Sequence, residues 1–410
     1  MGLCVEMMDN WLRTPDGFKD YLPGEYYFKK QIEDSFESVF HGYGYSSVGT
    51  PALEYMEVFT DKGSIDPAQT YRLLDRDGDI LALRADVTPP IARVVAMNYS
   101  DDEMPMRFCY VQDVYRCSPS YQGRQREITQ AGIELIGASG DDADAETLAV
   151  AIDALRSAGL DDFRVDVGQA LFLQGVLEES GLDPQVGGAL HACVIDRDFV
   201  AAERVGRENG VPGNVMRLLS DLPLFSGGAG MLDEALSGTE GEKSRSALLN
   251  LKNIHSALVD YGFEKYVSFD LSMAGNMDYY TGIIFRGYTS GMGFSILDGG
   301  RYDGLLGRFG LPRPSVGFII KVHNVAGALG KLNGRKNSPS PDLLIAWDHA
   351  GRANAMAEAA RLRASGKKIV SSFIGADLEA NIEFARGRGI RNICCFEGAA
   401  KRTFRVEDDG

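Results

Sequence analysis

The chain has 410 residues, 44% hydrophobic and 24% charged, a globular composition long enough for two or three domains. Lys plus Arg number 42 against 58 Asp plus Glu, a net charge of −16. Nucleic-acid affinity rests on a basic surface that releases counterions, so a chain this acidic would need a strongly local basic patch to hold RNA. No apolar run reaches the roughly 20 residues of a membrane span. Met1 to Trp11 carries two acids and no basic-flanked apolar core, so no signal peptide is expected in this segment.

The first predicted element is a helix after Pro23-Gly24, where Phe28, Ile32, Phe36, Val39 and Phe40 recur at helical spacing before Gly42 and Gly44 end the pattern. Leu83 to Thr88 reads as a strand end bearing Arg84, Asp86 and Thr88. Thr88-Pro89-Pro90 then opens a second helix, with a hydroxyl before a proline at the first helical position. Phe108, Tyr110 and Val111 suit a strand leading to Arg116. A turn-rich loop with Arg124 and Arg126 follows, then a strand bearing Gln130 and Glu134. Those two positions differ by an even number, so they share one strand face.

Residues 184 to 262 read as a mostly helical insertion. Beyond it lie Asp278-Tyr279-Tyr280-Thr281-Gly282, an apolar strand Ile283-Ile284-Phe285, and Asp298-Gly299-Gly300-Arg301-Tyr302-Asp303-Gly304. Residues 1 to 330 thus form one predicted domain. Lys331 to Pro341, with Asn-Gly and Ser-Pro-Ser-Pro, reads as a linker. Residues 342 to 410 are predicted to be a small α/β domain. Strands at Leu343–Trp347, Lys368–Val370 and Asn392–Phe396 alternate with helices at 351–364 and 377–386, which predicts a parallel sheet. Lys401 to Gly410 is read as a polar, frayed tail.

None of the six cysteines, Cys4, Cys109, Cys117, Cys193, Cys394 and Cys395, forms a C-x-x-C pair. A reducing cytoplasm is the expected compartment. None of the five histidines pairs at metal-ligand spacing, and no metal or cofactor is expected.

Each segment has a bland reading. Asp86 and Thr88 could cap a helix, Arg116 and Glu134 could form a structural ion pair, Tyr279 and Tyr280 could be a core aromatic and its surface neighbour, and Gly299-Gly300 could be a turn. The alternative is a ligand site in which Asp86 and Glu134 hold an ammonium and Arg116 a carboxylate or phosphate.

Taken together, the segments resemble the class II aminoacyl-tRNA synthetase core, specifically its histidyl branch. Thr14 to Pro23 resembles that branch's opening motif. Arg116, Gly123-Arg124, Gln130 and Glu134 match its second motif, and Asp278-Tyr279-Tyr280 and Gly300 to Gly304 resemble its histidine-recognition segments. The resemblance covers about residues 13 to 330. It implies an α+β fold, an antiparallel sheet flanked by helices, with Asp86, Thr88, Arg116, Gln130, Glu134, Tyr279, Tyr280 and Tyr302 around histidine. The C-terminal segment resembles a shortened anticodon-binding domain.

The departures from that branch are chemical. Its enzymes carry an arginine before the Asp-Tyr-Tyr segment, where this chain has Gly275. Their third motif ends on an ATP-binding arginine, where this chain has Asn324. Cys117-Ser118-Pro119 replaces the usual His-Glu-Arg, and Asp86 replaces a glutamate. Losing one preorganised donor costs about 10²–10³ in rate, so losing several predicts very little adenylation. Lys321, His323, Arg124 and Arg126 are the cations left to compensate.

This combination resembles the regulatory subunits of ATP phosphoribosyltransferase, the first enzyme of histidine biosynthesis. That resemblance implies a non-catalytic chain, and the sequence shows no phosphoribosyl-diphosphate-binding signature, since the strand end Ile345-Ala346-Trp347-Asp348 lacks the paired acids. It would assemble with a short catalytic subunit, self-associate as a dimer and mediate histidine feedback. The rival reading is an active histidyl-tRNA synthetase using ATP, Mg²⁺ and tRNA.

Overall fold

The computed structural model describes residues 12–63, 65–101, 103–117, 125–275, 279–333 and 340–406. The chain divides into two compact units, 1–336 and 337–410.

Among the described residues, the first unit is built on a nine-stranded sheet. In chain order its strands are β1 (Ser46–Ser47), β5 (Met106–Tyr115), β6 (Glu127–Ile136), β7 (Phe163–Gln169), β8 (Ser226–Gly227), β9 (Val267–Asp270), β10 (Ile283–Thr289), β11 (Leu297–Arg301) and β12 (Ser315–Lys321). Their spatial order is β1-β5-β6-β12-β11-β10-β7-β9-β8. The run from β5 to β7 is antiparallel throughout, while β1 and β9 join in parallel. A separate small sheet, β2 (Leu53–Tyr55), β3 (Arg72–Leu74) and β4 (Ile80–Leu83), has the order β2-β4-β3.

Period-two alternation gives the large sheet two different faces. On β6, Ala131, Ile133 and Leu135 enter the main core, together with Ile283, Phe285, Leu297, Phe318 and Ile320 from the neighbouring strands. The helices Pro23–Gly42, Asp141–Ser157 and Glu242–Asp260 supply the rest of that core. The first starts with proline in its opening turn and buries Ile32, Phe36 and Phe40, a stripe at helical spacing. On the opposite face, Tyr110, Val114, Ile136 and Tyr302 pack with Val87, Ile91 and Val95 and with Leu305 and Leu306. Residues 184–262 form the helices Pro184–Ile195, Phe199–Glu208, Gly213–Asp221, Gly230–Gly238 and Glu242–Asp260, with β8 between them.

The second unit has a four-stranded sheet, β13 (Leu343–Trp347), β14 (Ile369–Ser371), β15 (Asn392–Glu397) and β16 (Ala400–Arg405), in the order β14-β13-β15-β16. The helices Arg352–Ala364 and Leu378–Arg386 cover its two faces, so the adjacent Cys394 and Cys395 enter separate cores. One expectation fails here. The polar tail is not frayed from Lys401, because Ala400–Arg405 pairs antiparallel with β15. A solvent-facing edge strand needs few apolar residues, and Lys401, Arg402 and Arg405 give it the charge that such edges commonly carry. The sheet is therefore parallel only among β13, β14 and β15.

Candidate functional site

A cavity of about 470 Å³ opens on the sheet face opposite the main helical core. Its wall includes Asp86, Thr88, Arg116, Glu134, Tyr279, Tyr280 and Tyr302, brought together from five stretches of chain. Strand alternation explains part of this convergence: Glu134, Ile284, Arg286, Asp298 and Gly300 all sit at cavity-facing positions of their strands. Gln130 does not line the cavity. It lies on the Glu134 face of β6, opposite Lys321 and Gln112, 2% exposed, with no hydrogen-bond partner for its Oε1. Asp278, Gly123 and Arg124 lie outside the described residues.

Glu134 is the deepest charged group, at 1% exposure. Its Oε1 accepts hydrogen bonds from Thr88 Oγ1 at 2.6 Å and the Tyr110 hydroxyl at 3.4 Å, and its Oε2 accepts one from the Tyr302 hydroxyl. Burial pushes its carboxyl well above the usual range, and the charge of Asp86 adds to that push. The hydroxyls of Thr88 and Tyr110 work in the opposite direction. Burial likewise holds Tyr110, Tyr279 and Tyr280 in the neutral phenol form. Tyr279 stacks on Tyr302 with ring centroids 5.7 Å apart. The floor depends on Gly317, because a Cβ there would overlap Glu134 Oε2 and the Ile133 carbonyl oxygen.

The ion pair runs differently from the one considered from sequence. Arg116 pairs with Asp86, Nη2 to Oδ2 at 2.5 Å, and its Nε donates to the Ala85 carbonyl at 2.9 Å. Asp86 Oδ1 also accepts from the backbone N–H groups of Val87 at 2.8 Å and Thr88 at 3.2 Å. Asp86 therefore restrains the start of helix Thr88–Asn98, and the Thr88 hydroxyl is released toward Glu134. Gly299 and Gly300 are strand residues of β11 and not a turn.

Arg301, between Gly300 and Tyr302, points to the other face. It pairs with Asp144 at 2.7 Å and Asp303 at 3.1 Å.

Lys321 lines the cavity and His323 does not. Lys321 Nζ is 2.6 Å from Asp298 Oδ2. Burial, with the charge of Lys321, lowers His323 to about 4, so its ring is neutral at pH 7. Asn324 turns to the Ser295 carbonyl at 2.8 Å and does not line the cavity. A Cβ on Gly275 would overlap Ile284 Cδ1 and come within 2.8 Å of the Tyr280 ring, so an arginine there requires those side chains to shift. Arg126 lines no part of the cavity. Among the described residues no group of three or more His, Cys, Asp or Glu is placed to hold a metal ion.

The Histidyl-tRNA synthetase family pattern matches residues 17–325. An ATP phosphoribosyltransferase regulatory subunit of Acetivibrio thermocellus is 37% identical over 388 residues, 94% of this chain and 93% of that protein. One from Thermoanaerobacter sp. is 42% identical over 355 residues, 87% of this chain and 93% of that protein. The chain belongs to the ATP phosphoribosyltransferase regulatory subunit family, on the histidyl-tRNA synthetase fold. A Bacillus halodurans structure described as an ATP phosphoribosyltransferase regulatory subunit/histidyl-tRNA synthetase superposes with a TM-score of 0.84 at 31% identity, covering 95% of this chain and 99% of that one. Histidyl-tRNA synthetase from Nostoc sp. PCC 7120 shares the fold, at TM-score 0.80 and 20% identity over 96% of each chain. The family assignment carries the regulatory reading over that of an active synthetase.

Proposed function

We propose that the protein binds histidine in this cavity and reports its presence to a short ATP phosphoribosyltransferase catalytic subunit, which performs the first step of histidine biosynthesis. The observation that supports this reading is the uneven state of the cavity. Its inner end holds acceptors and neutral hydroxyl donors suited to an amino acid, while Gly275 and Asn324 stand where the synthetase has arginines. Asp86 and Glu134 would accept from the ligand's ammonium and ring N–H groups, and Arg116 would face its carboxylate. A cationic donor beside Glu134 favours the ionised carboxyl and so opposes the upward push of burial.

The chain itself carries no catalytic role in this reading. It self-associates as a dimer, works in the cytoplasm and assembles with its catalytic partner. The test is size-exclusion chromatography of the two purified chains, with and without histidine. Co-elution of a stable complex whose phosphoribosyltransferase activity falls with added histidine is expected. Separate elution, or a complex whose activity ignores histidine, overturns the reading.

A further inference from the structure

The outer end of the same cavity is walled by Arg286 on β10, Asp298 on β11 and Lys321 on β12. Arg286 and Asp298 are direct cross-strand partners, and Lys321 lies two residues beyond Ile319, the partner of Asp298 on the other side. All three side chains therefore share the cavity face. Asp298 sits between the two cations: Oδ2 is 2.6 Å from Lys321 Nζ, and Oδ1 is 3.6 Å from Arg286 Nε. Ser295 locks the arrangement, donating to Asp298 Oδ2 at 2.9 Å and accepting from Lys321 Nζ at 2.8 Å.

The described charged groups on the cavity wall are three acids, Asp86, Glu134 and Asp298, and three cations, Arg116, Arg286 and Lys321. Each of those cations faces a carboxylate, Arg116 through Asp86 and the other two through Asp298. A triphosphate carries about four negative charges, and clamping it takes surplus cations aimed at its oxygens. Among the described residues the wall offers no cation without a facing carboxylate, although the cavity has room for more than one amino acid at about 470 Å³.

We propose that Asp298 is a specificity-determining residue that closes this compartment to polyphosphates, by holding Lys321 and Arg286 and by repelling the phosphate charge. The proposal rests on the reading of the cavity as an amino-acid site that does not activate its ligand. It adds a cause of a different kind from the lost arginines. Gly275 and Asn324 remove attraction, whereas Asp298 supplies repulsion, and rejecting an unwanted ligand commonly needs both. The cations that a polyphosphate requires are present in the wall and held by one carboxylate.

The experiment titrates inorganic triphosphate, then ATP, into the wild-type chain and into Asp298→Asn at low ionic strength, by calorimetry. Histidine is titrated into the same samples. Asp298→Asn is expected to tighten triphosphate binding about tenfold or more, a gain screened by salt. Adding Lys321→Met or Arg286→Met should abolish the gain, and Asp298→Ser should reproduce it if Asp298→Asn folds poorly. Tight triphosphate binding by the wild-type chain would overturn the proposal. So would unchanged affinity in both Asp298 variants, or a gain that survives loss of both cations. Absence of histidine binding in the wild type would instead overturn the functional reading, while the triphosphate comparison would still decide the role of Asp298.

Discussion

Thr88 Oγ1 lies 2.6 Å from Glu134 Oε1, a hydrogen bond that ties the first residue of a helix to the middle of the central sheet. It forms because Asp86 satisfies the backbone N–H groups of Val87 and Thr88, which frees the threonine hydroxyl from capping. The cavity is preorganised by this division of labour: Asp86 holds the helix start and Arg116, and Thr88 orients the buried carboxyl.

Asp86→Ala should therefore weaken histidine binding. It removes an ammonium acceptor and leaves Arg116 without its carboxylate. Hydrogen bonds to charged groups contribute about 1.5–3 kcal/mol, so a loss of about tenfold or more is expected by calorimetry. Glu134→Ala should do the same through a second acceptor. Unchanged affinity in both variants would contradict the assignment of this cavity.

Glu134 also sets a pH dependence. Its folded carboxyl titrates above its ordinary value of 4.5, so the protonated form is favoured on folding. That contribution to stability is fully present below pH 4.5 and is lost as pH rises through the raised folded value. Glu134→Gln stays neutral, so its stability relative to wild type should increase as pH rises. Urea denaturation across pH 5 to about 9 reads this directly. Parallel profiles for the two proteins would mean that Glu134 is ionised in the free fold.

Gly317→Ala tests the close packing beneath the carboxyl. The added methyl overlaps Glu134 Oε2, which is held by the Tyr302 hydroxyl, and the Ile133 carbonyl oxygen, which belongs to the β6–β12 ladder. Overpacking of this kind costs about 1–3 kcal/mol, which a denaturation midpoint resolves. Histidine affinity should fall with it. A variant as stable as wild type with normal affinity would show that the strands part more easily than their register suggests.

Restoring the synthetase residue should not restore the synthetase. Gly275→Arg places its Cβ into Ile284 and against Tyr280, so a destabilised protein without pyrophosphate exchange is expected. Measurable exchange in this variant would mean that the segment rearranges to accept the arginine.

Much of this cavity wall was legible in the sequence through short motifs that resemble the histidyl branch, because spacing alone identifies no site. Asp86, Thr88, Arg116, Glu134, Tyr279, Tyr280 and Tyr302 reach one cavity wall from segments more than two hundred residues apart in the chain. The pairing within the site was not legible. Arg116 turns to Asp86 and not to Glu134, a choice made by the tertiary approach of two strand ends. Gln130 shares a face with Glu134, yet parity along a strand gives direction and not depth. Asp298 carried no signal of its own, since its meaning comes from Arg286 and Lys321 on neighbouring strands. In the second unit, β13 and β15 were legible as short apolar runs, but the polar strand Ala400–Arg405 was not, because its outer edge meets water and it is held by backbone pairing.

The central claim is a histidine site without adenylation. Its most direct measurement is calorimetry with histidine and histidine-dependent ATP–pyrophosphate exchange on one preparation of the purified chain. The account predicts saturable histidine binding and no exchange above background. Robust exchange, or no histidine binding by a folded sample, would contradict it.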